Sequence, residues 1–381
     1  MEHSLTLGFG AYWTRERQKT WSGTPASLLA AMEQIPSVHV HDLGLSEENL
    51  LRHVLRAACL RLHQGKPVST WRHNTIYRNW ENRALRKSLS DSPNLDAVLT
   101  IGEHGTISQP HFWYQDLSFV TVADMVQNGT VTYQYDRFSY PSLLTTAQRQ
   151  IPSIRAALGI FTMSAWDRSY HVRIGAVDPD KIHVVGAGIN VPVLVPDAAT
   201  WQTPDANRER TVLFIGREFH RKGGDLVVQA VERWRRGVNY KVRLIVAGPR
   251  KWPMKGSIPP WVTFLGDAPY SLLASHLRKA DVFAMPSHFE AFGIVFVEAL
   301  AAGVPVIGRN AFAMPEFIRH GENGFLLEED NVQKLAEYIE QASEDNAIRK
   351  FTVSNAAYIA ERFSWFRVAN DMVSIIRKSL S

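Results

Sequence analysis

The stretch ADVFAMPSHFEAFGIVFVEALAAGVPVIG, residues 280–308, predicts a strand, a loop, a helix and a second strand in that order. Its opening run, ADVFAMPS, has the length and apolar character of a strand buried on both faces, as in a parallel sheet. Gly293 opens a helix that runs to about Ala302, where Gly303 ends it and Pro305 prevents its continuation. The closing run, GVPVIG, forms the next strand, so the stretch is one βαβ unit.

The same alternation of short apolar runs and helical segments extends along most of the chain. Strands are predicted at 95–102, 111–120, 181–189, 211–217, 240–249, 262–267, 280–287 and 303–308, and helices at 225–236, 269–279 and 332–343. A polar, proline-bearing segment at 195–210 interrupts the pattern and indicates a linker. We therefore predict an α/β protein with two doubly wound, Rossmann-like domains facing across a cleft. Ligands of such sheets bind at the carboxyl ends of the strands.

Length and composition limit the class of protein. A chain of 381 residues fits two domains of roughly 150–200 residues. With 45% hydrophobic and 21% charged residues it is globular, and no apolar run approaches the ~20 residues that cross a bilayer. The amino terminus lacks the basic start and continuous apolar core of a secretion signal, so a cytoplasmic protein is expected. The single cysteine, Cys59, excludes an internal disulfide, and a net charge of +5 favours anionic partners.

Two glutamates mark the loop and helix of the opening stretch. The backbone amides of residues 291–294 lie at a helix amino terminus, which is an anion site. Glu290 precedes them, and because a carboxylate repels phosphate we expect it to accept hydrogen bonds from a neutral, hydroxylated part of a ligand. Glu298 lies inside an otherwise apolar helix, where a buried carboxylate needs a partner such as a ribose diol or a basic side chain. The alternative is a capping acid followed by an incidental helix glutamate.

Two further segments have the residues of an anion site. In FIGREFHRKGGD, residues 214–225, Arg217 and Lys222 lie in one glycine-bearing loop after a strand and can together neutralise a diphosphate. The alternative is a solvated basic turn. In WSGTPASLLAAM, residues 21–32, Thr24 is the predicted N-cap and Pro25 the first helical residue, while Gly23 lets an anion approach the backbone. The alternative there is a plain capped helix.

The segment WRHNTIYRNWENRALRKSLS, residues 71–90, interleaves aromatic and basic side chains: Trp71, Tyr77 and Trp80 with Arg72, Arg78, Arg83, Arg86 and Lys87. Three interpretations stay open for it. It can lie against an acidic membrane. It can bind nucleic acid, or it can be an amphipathic helix with a solvated basic face.

Taken in order along the chain, these features resemble the retaining family 4 glycosyltransferases with the two-domain GT-B architecture. The resemblance also covers DPDKIHVVGAGINV (178–191), AAGVPVIG (301–308), MPEFIRHGENGFLL (314–327) and the terminal segment 362–380. It implies an amino-terminal, acceptor-binding domain at 1–194 and a carboxyl-terminal, nucleotide-sugar-binding domain at 195–363. It also implies that the last helix, at about 364–381, packs back onto the first domain.

Carried over to this chain, the resemblance assigns Arg217 and Lys222 to the donor diphosphate. It assigns Glu298 to the nucleotide ribose and Glu290 to hydroxyls of the transferred sugar. It further implies that the backbone amides of Phe292, Gly293 and Ile294 bind the distal phosphate. Gly23 of the other domain would close over the same phosphate. Such enzymes need no metal and no cofactor, because basic residues and helix dipoles stabilise the departing diphosphate. The chain has no Asp-x-Asp metal-binding triplet at these loops, in agreement with that expectation.

On the acceptor side the chain departs from the family pattern. Many relatives have a histidine in the loop after the strand that corresponds to HFWYQDLSF, whereas this chain has Gln115 and Asp116 there and His111 at the strand's start. Asp116 can orient an acceptor hydroxyl or accept its proton, which places it with Glu290, Lys222 and Arg217 as a catalytic candidate. The alternative is a carboxylate in a hydrogen-bonded loop. His104 follows the preceding strand, so the acceptor candidates are His104, Gln115 and Asp116.

The expected function is metal-independent transfer of a sugar from a nucleotide-diphosphate sugar to an acceptor hydroxyl, with retention of the anomeric configuration. The expected partners are that donor and a sugar, lipid-linked or small-molecule acceptor, with peripheral contact at the inner membrane face and no nucleic acid. Two alternatives stay open. A GT-B-like nucleotide-sugar epimerase shares the two domains but needs no acceptor, and a non-catalytic nucleic-acid binder needs only the basic surface.

Overall fold

A computed structural model describes the chain in two compact units, Met1–Gly188 with Trp365–Ser381 and Ile189–Ser364. The described residues are 4–47, 49–63, 66–102, 105, 107–130, 135, 138–199, 205, 208–237 and 241–381. In this part of the chain no helix is long and apolar enough to cross a membrane.

The first unit is built around a six-stranded sheet whose neighbouring strands are all parallel. Its elements are β1 (Leu5–Gly10), α1 (Thr24–Met32), β2 (Val38–Asp42), α2 (Leu50–Ala58), β3 (Leu60–His63), β4 (Lys66–Ser69), α3 (Thr75–Ser90), β5 (Ala97–Ile101), β6 (His111–Gln115), α4 (Phe119–Gln127), α5 (Tyr140–Ala156), β7 (Gly159–Thr162), α6 (Ala165–Ile174) and β8 (Ile182–Val184). The strand order is β2-β1-β5-β6-β7-β8. Strands β3 and β4 form a separate antiparallel hairpin.

The second unit contains another parallel six-stranded sheet. Its elements are β9 (Arg210–Ile215), α7 (Gly224–Gly237), β10 (Val242–Ala247), β11 (Val262–Gly266), α8 (Tyr270–Lys279), β12 (Val282–Ala284), α9 (Ile294–Ala301), β13 (Val306–Arg309), β14 (Gly324–Leu327), α10 (Val332–Glu344) and α11 (Asn346–Arg362). The strand order is β11-β10-β9-β12-β13-β14, so the order reverses between β9 and β12. Such a reversal is a topological switch point, where loops at the strand ends leave a crevice for a ligand.

The last helix, α12 (Trp365–Leu380), belongs to the first unit. The Trp365 ring lies against Gly188, where a Cβ atom would come within 2.3 Å of the indole, so only glycine fits there. Arg367 donates to the carbonyl of Val185 at 2.8 Å, and Arg377 donates to the hydroxyl of Ser37 at 2.7 Å. These contacts hold the carboxyl-terminal helix on the sheet that the amino-terminal residues begin.

The predicted fold class of two doubly wound parallel sheets is confirmed. The strands predicted in the second unit coincide with β9 to β13 because they are continuous runs of apolar residues, which the structure buries. The apolar run at 111–120 is one strand only as far as Gln115. Helix α4 begins after Ser118, whose hydroxyl accepts from the backbone N–H of Thr121 at 3.0 Å as an N-cap.

The start of α1 also differs from the prediction. Thr24 is already helical, and the N-cap is Gly23, which has a left-handed φ of 89°. The preceding residues Trp21 and Ser22 also have positive φ, 42° and 57°, which is uncommon for residues with a Cβ atom. The chain therefore enters α1 through a tight left-handed bend, and glycine is the residue that completes it without steric cost.

Candidate functional site

An ion pair lies at the switch point of the second sheet. Lys222 follows β9 and Glu290 follows β12, and the Lys222 Nζ lies 2.9 Å from a carboxylate oxygen of Glu290. The two side chains are only 17% and 15% exposed, so each charge is largely removed from water and needs the other. The sequence predicted both residues as ligand contacts, and the structure brings them together.

The two loops that carry this pair are bound to each other by hydrogen bonds. The Arg221 guanidinium donates to the carbonyl of Phe289, and the backbone N–H of His288 donates to the carbonyl of Arg221 at 2.9 Å. The Ser287 hydroxyl also donates to the Phe289 carbonyl, at 2.9 Å. Arg221 was not singled out from the sequence, although it adjoins Lys222. Its role is visible only once the two loops are seen side by side.

Close approach of the loops requires glycine at position 223. Gly223 has a φ of 73°, and a Cβ atom there would lie 2.6 Å from the backbone carbonyl oxygen of Pro286. A side chain would therefore push the β9 loop away from the β12 loop. This gives a physical reason for the glycine that follows Lys222.

Further side-chain contacts connect the β12 loop to Arg309, the last residue of β13, and to Asp330 in the loop after β14. The His288 Nε2 lies 2.9 Å from a carboxylate oxygen of Asp330, and Arg309 donates to the same carboxylate at 2.5 Å. Arg309 also donates to the backbone carbonyls of Pro286 and Ser287, at 3.2 Å each. The β12 loop is thus fixed from both sides.

Helix α9 begins beside Glu290. Its N-cap is Gly293, with a φ of 87° and no side chain to occupy the helix end. The Phe292 ring packs against Phe317 and Phe363, with centroids 5.6 and 6.1 Å apart. Any contact that Phe292 makes with a ligand therefore comes from its backbone. Of the residues predicted to offer amides, Phe292 precedes the N-cap, Gly293 is the N-cap and Ile294 is the first residue of the helix.

Glu298 is buried, with 5% of its surface exposed. One carboxylate oxygen accepts from the backbone N–H groups of Asn190 and Val191, at 3.0 Å each. Burial raises the pKa of Glu298 to about 6, although these two hydrogen bonds and the charge of Lys222 act in the opposite direction. The sequence predicted burial and a partner. The partner that the structure shows is the backbone of 190–191, and it engages only one of the two oxygens.

Arg217 lies apart from the central ion pair. Its guanidinium is 3.3 Å from the carboxylate of Asp267, which follows β11, and its side chain is 68% exposed. An exposed pair of this kind contributes little to stability and can rearrange. Burial and the negative charge of Glu298 raise the pKa of Tyr270, whereas the positive charge of Arg217 lowers it. Tyr270 is the first residue of α8, three residues after Asp267, and was not singled out from the sequence.

The acceptor candidates belong to the first unit. Gln115 is buried, and its amide donates to Asp167 at 3.2 Å and contacts a ring nitrogen of His171 at 2.9 Å. Asp116 is half-buried. Burial is the main cause of the raised pKa of Tyr114, and the negative charge of Asp116 raises this pKa further. His104 lies outside the described residues. Among the described candidates, Asp116 is thus the one whose side chain is not enclosed in the core.

Across the described ranges, no group of three or more histidine, cysteine, aspartate or glutamate side chains is arranged to hold a metal ion. Groups near the switch point that can attract an anion include Lys222, Arg221, whose guanidinium lies 3.9 Å from Glu290, Arg217 and the amino terminus of α9.

Residues 197–358 match the family model described as "Glycosyl transferases group 1". This segment belongs to that family. The match confirms the predicted family for the second unit, which contains the Lys222 and Glu290 pair.

Curated relatives match about half of the chain. A D-inositol 3-phosphate glycosyltransferase of Jonesia denitrificans is 28% identical over 224 residues, which are 54% of this chain and 53% of that protein. A GDP-mannose-dependent alpha-(1-6)-phosphatidylinositol monomannoside mannosyltransferase of Mycobacterium tuberculosis is 31% identical over 182 residues, 44% of this chain and 47% of that protein. The chain thus spans about half the length of these relatives.

Solved structures match nearly the whole chain and show its fold. Sucrose-phosphate synthase from Thermosynechococcus elongatus has a TM-score of 0.67 and 16% identity, covering 98% of both chains. WaaG, a glycosyltransferase involved in lipopolysaccharide biosynthesis, has a TM-score of 0.65 and 16% identity, covering 97% of this chain and 99% of WaaG. Anabaena HepE in complex with UDP and glucose has a TM-score of 0.62 and 15% identity, covering 98% and 100%. The fold is GT-B, as the sequence predicted.

Burial of Glu298 leads to a prediction on stability. Its pKa is 4.5 when unperturbed and about 6 in the folded protein, so between these values the folded state binds more protons than the unfolded state. The buried charge therefore lowers the free energy of unfolding by about 2 kcal/mol above pH ~6, and this loss of stability becomes smaller as the pH falls toward 4.5. Glu298→Gln keeps an oxygen acceptor for the two amides but cannot ionise. We expect the free energy of unfolding of the wild type, relative to Glu298→Gln, to rise by about 1 kcal/mol from pH 7.5 to pH 5.

Urea denaturation of both proteins at the two pH values measures this difference. Other ionisable groups contribute equally to both proteins and cancel. A difference that stays constant with pH would show that Glu298 does not titrate with a raised pKa.

Proposed function

We propose that the protein transfers a sugar from a nucleotide-diphosphate sugar to an acceptor hydroxyl. The observation that carries the proposal is the ion pair of Lys222 and Glu290 at the switch point of the second sheet. It sets a cation and a hydrogen-bond acceptor side by side, which matches a ligand with a phosphate next to hydroxyl groups. The family of segment 197–358 and the similarity to relatives that are glycosyltransferases support the same reaction.

In this proposal the second unit binds the donor. Lys222 and Arg217 neutralise the diphosphate, and the amides of Phe292, Gly293 and Ile294 bind its distal phosphate at the start of α9. Glu290 accepts hydrogen bonds from the hydroxyls of the transferred sugar. Because Lys222 has Glu290 as its partner in the free protein, the diphosphate must take the place of that partner when the donor binds.

Glu298 has the nucleotide ribose as its proposed ligand. Two backbone amides fix one carboxylate oxygen and so orient the whole group. The second oxygen then has a set direction in which to accept from a ribose hydroxyl. The nearby Tyr270 side chain, which the charge of Glu298 affects, is a further candidate for contact with the nucleoside.

The first unit binds the acceptor in this proposal. Asp116 orients the acceptor hydroxyl, with Gln115 supporting the loop from inside the core and His104 as a third candidate. Gly23 contributes the close backbone approach that its left-handed φ permits. A membrane-bound acceptor would require peripheral contact with the inner membrane face of the cell, and this contact is part of the proposal.

The proposed chemistry uses only charges of the chain. Negative charge develops on the leaving diphosphate in the transition state, where Lys222, Arg217 and the α9 amino terminus stabilise it without a metal ion. The departing phosphate oxygen takes the proton of the acceptor hydroxyl as the new glycosidic bond forms on the same face of the sugar. The anomeric configuration is then retained.

The first prediction from this proposal concerns Lys222. We expect Lys222→Ala to lower turnover by about two orders of magnitude or more, because the mutation removes a charge that faces the leaving group in the transition state. A thermal-shift screen of nucleoside diphosphates first identifies the base, since a ligand that binds the folded state raises the melting point. Release of that diphosphate from the corresponding sugar donor then measures turnover.

Lys334→Ala is the matched control, because Lys334 lies on α10 of the same unit and forms an exposed pair with Glu337. It should retain nearly all activity. Near-normal turnover of a folded Lys222→Ala protein would remove Lys222 from the site.

A second prediction separates the two glutamates. Glu298→Gln should weaken binding of the free nucleoside diphosphate by about 1–3 kcal/mol, because a charge-assisted hydrogen bond to the ribose is lost. Glu290→Gln should leave this binding nearly unchanged and impair use of the sugar donor. Calorimetric titration with the nucleoside diphosphate and with the donor compares the two variants. If Glu290→Gln is the variant that loses the free nucleotide, the two assignments are wrong.

A third prediction joins metal independence to stereochemistry. Activity should persist in the presence of a chelator, since the groups that neutralise the diphosphate belong to the chain.

Proton NMR of freshly formed product should show the anomeric configuration of the donor. A product of inverted configuration would contradict the retaining mechanism and assign Asp116 the role of general base. Incubation of the donor alone is the control for an epimerase, which would convert the donor without an acceptor.

A further inference from the structure

The residues that lead into α1 have a backbone conformation that is unusual for their side chains. Trp21, Ser22 and Gly23 follow one another with φ values of 42°, 57° and 89°, all in the left-handed region. Glycine takes this conformation without steric cost, but a residue with a Cβ atom does not. Trp21 and Ser22 are therefore strained, and strain of this kind is concentrated at sites that bind a ligand.

The neighbours of Trp21 hold this bend in place. Before it, the hydroxyl of the buried residue Thr20 accepts from the backbone N–H of Thr14 at 3.0 Å. After it, the backbone N–H of Thr24, which is fully buried, donates to the Trp21 carbonyl. The chain is thus anchored on both sides of Trp21, so the direction of the indole side chain is fixed by its surroundings.

The Trp21 side chain lies against the end of β6. Its ring meets the Tyr114 ring edge to face, with centroids 6.2 Å apart. Tyr114 is fully buried, and its hydroxyl donates to the carbonyl of Gly186 at 2.8 Å. Tyr114 also meets the buried Trp365 edge to face, at 6.4 Å. Of these three rings, the half-buried Trp21 is the one that extends to solvent.

Asp116 lies close to the same rings. It follows Tyr114 by two residues, and its negative charge raises the pKa of Tyr114, so the carboxylate is near the phenol. Both residues belong to the carboxyl end of β6, the edge of a parallel sheet at which ligands bind. A half-buried indole and a half-buried carboxylate are therefore brought to one strand end.

An indole near a carboxylate matches the two kinds of surface on a pyranose sugar. The faces of a pyranose ring consist of C–H groups, whose slight positive charge suits the negative face of an indole. The edge of the ring carries hydroxyl groups, which donate to a carboxylate. An apolar alcohol would contact the indole without satisfying Asp116, and a small polar alcohol would do the reverse. A sugar ring uses both groups at once.

We propose that Trp21 selects a pyranose as the acceptor by packing against one face of its ring, while Asp116 orients the hydroxyl that receives the new bond. The inference rests on the proposed function, in which the first unit binds the acceptor. It narrows the acceptor to a sugar, either free or linked to a lipid. The left-handed bend then has a purpose, because it holds the indole at the end of β6.

A panel of acceptors tests this inference on the full chain with the sugar donor that the thermal-shift screen identifies. The panel consists of methyl and octyl glycosides of glucose, galactose and mannose, with glycerol and 1-butanol as alcohols that are not sugars. We expect at least one pyranoside, and neither alcohol, to raise release of the nucleoside diphosphate about tenfold or more above the rate in water. Equal use of the methyl and octyl forms indicates a free sugar, and preference for the octyl form indicates a lipid-linked one.

Substitution of Trp21 separates acceptor binding from the chemical step. Trp21→Ala should raise the KM for that pyranoside about tenfold or more, and should leave the donor KM and the turnover at saturating acceptor within about threefold of the wild type. Trp21→Phe keeps an aromatic face and should restore most of the loss. Trp21→Gly should share the KM defect of Trp21→Ala but melt at a higher temperature, since glycine adopts the left-handed φ without steric cost. A defect common to two variants of different stability belongs to the missing ring.

Saturation-transfer NMR gives a readout that does not depend on turnover. The C–H protons on one face of the pyranoside should receive the strongest saturation from the wild type, and Trp21→Ala should lose this signal. Trp80→Ala is the matched control, because Trp80 is also half-buried and stacks on a tyrosine, Tyr77, at 5.7 Å, but lies on the regular helix α3. It should keep the wild-type KM and NMR signal.

Two outcomes would overturn the inference. One is a protein that consumes the donor but neither binds nor uses any pyranoside. The other is a folded Trp21→Ala protein whose KM for the pyranoside is unchanged. In either case the proposed function stands, provided that the nucleoside diphosphate raises the melting point and the donor is consumed. If no nucleoside diphosphate binds and no donor is consumed, it is the proposed function that falls.

Discussion

Lys222 and Glu290 bring opposite charges to within 2.9 Å at the point where the strand order of the second sheet reverses. Both side chains are mostly shielded from water, and a charge in that position is stable only with a partner. The pair requires the loops after β9 and β12 to approach closely, and this approach requires glycine at 223. The fold supplies the two neighbouring strand ends, and the local residues then fix the distance between the charges. Loss of Glu290 would remove the carboxylate that faces Lys222, whereas loss of Lys222 would leave Glu290 with the Arg221 guanidinium, which lies 3.9 Å away.

The hydrogen bonds around the pair explain how loops can hold such a geometry. Loops are usually the more mobile parts of an α/β domain. Here Arg221 bonds to the β12 loop, and the His288 backbone returns a bond to the β9 loop. Arg309 and Asp330 continue these contacts to the end of β13 and to the loop after β14. Four strand ends of one sheet are therefore joined into a single support, and the groups proposed to bind the donor diphosphate and sugar are positioned by it.

The predictable features were those that depend on neighbours in the sequence. Buried parallel strands are continuous apolar runs, and Gly293 and Gly303 delimit α9 by local backbone rules, so the second unit was predicted well. Features that depend on residues distant in the sequence were not predicted. The amides that bind Glu298 come from 190–191, more than 100 residues earlier in the chain. Gln115 reads as a loop residue, yet Asp167 and His171 on α6 draw it into the core. Thr24 has the chemistry of an N-cap, but a left-handed bend gives that position to Gly23.

The proposed donor contacts also bear on selectivity. A free phosphate that approaches Lys222 also approaches the carboxylate of Glu290, and the repulsion offsets much of the attraction. A ligand that presents phosphate to Lys222 and hydroxyls to Glu290 satisfies both groups, because the carboxylate then accepts hydrogen bonds in place of its ion pair. In the proposed site, discrimination against simple anions would therefore follow from placing the Glu290 carboxylate beside the Lys222 ammonium group. In the proposed function, Glu290 thus has the role of selecting the sugar-bearing donor, and Lys222 with the start of α9 has the role of stabilising the departing diphosphate.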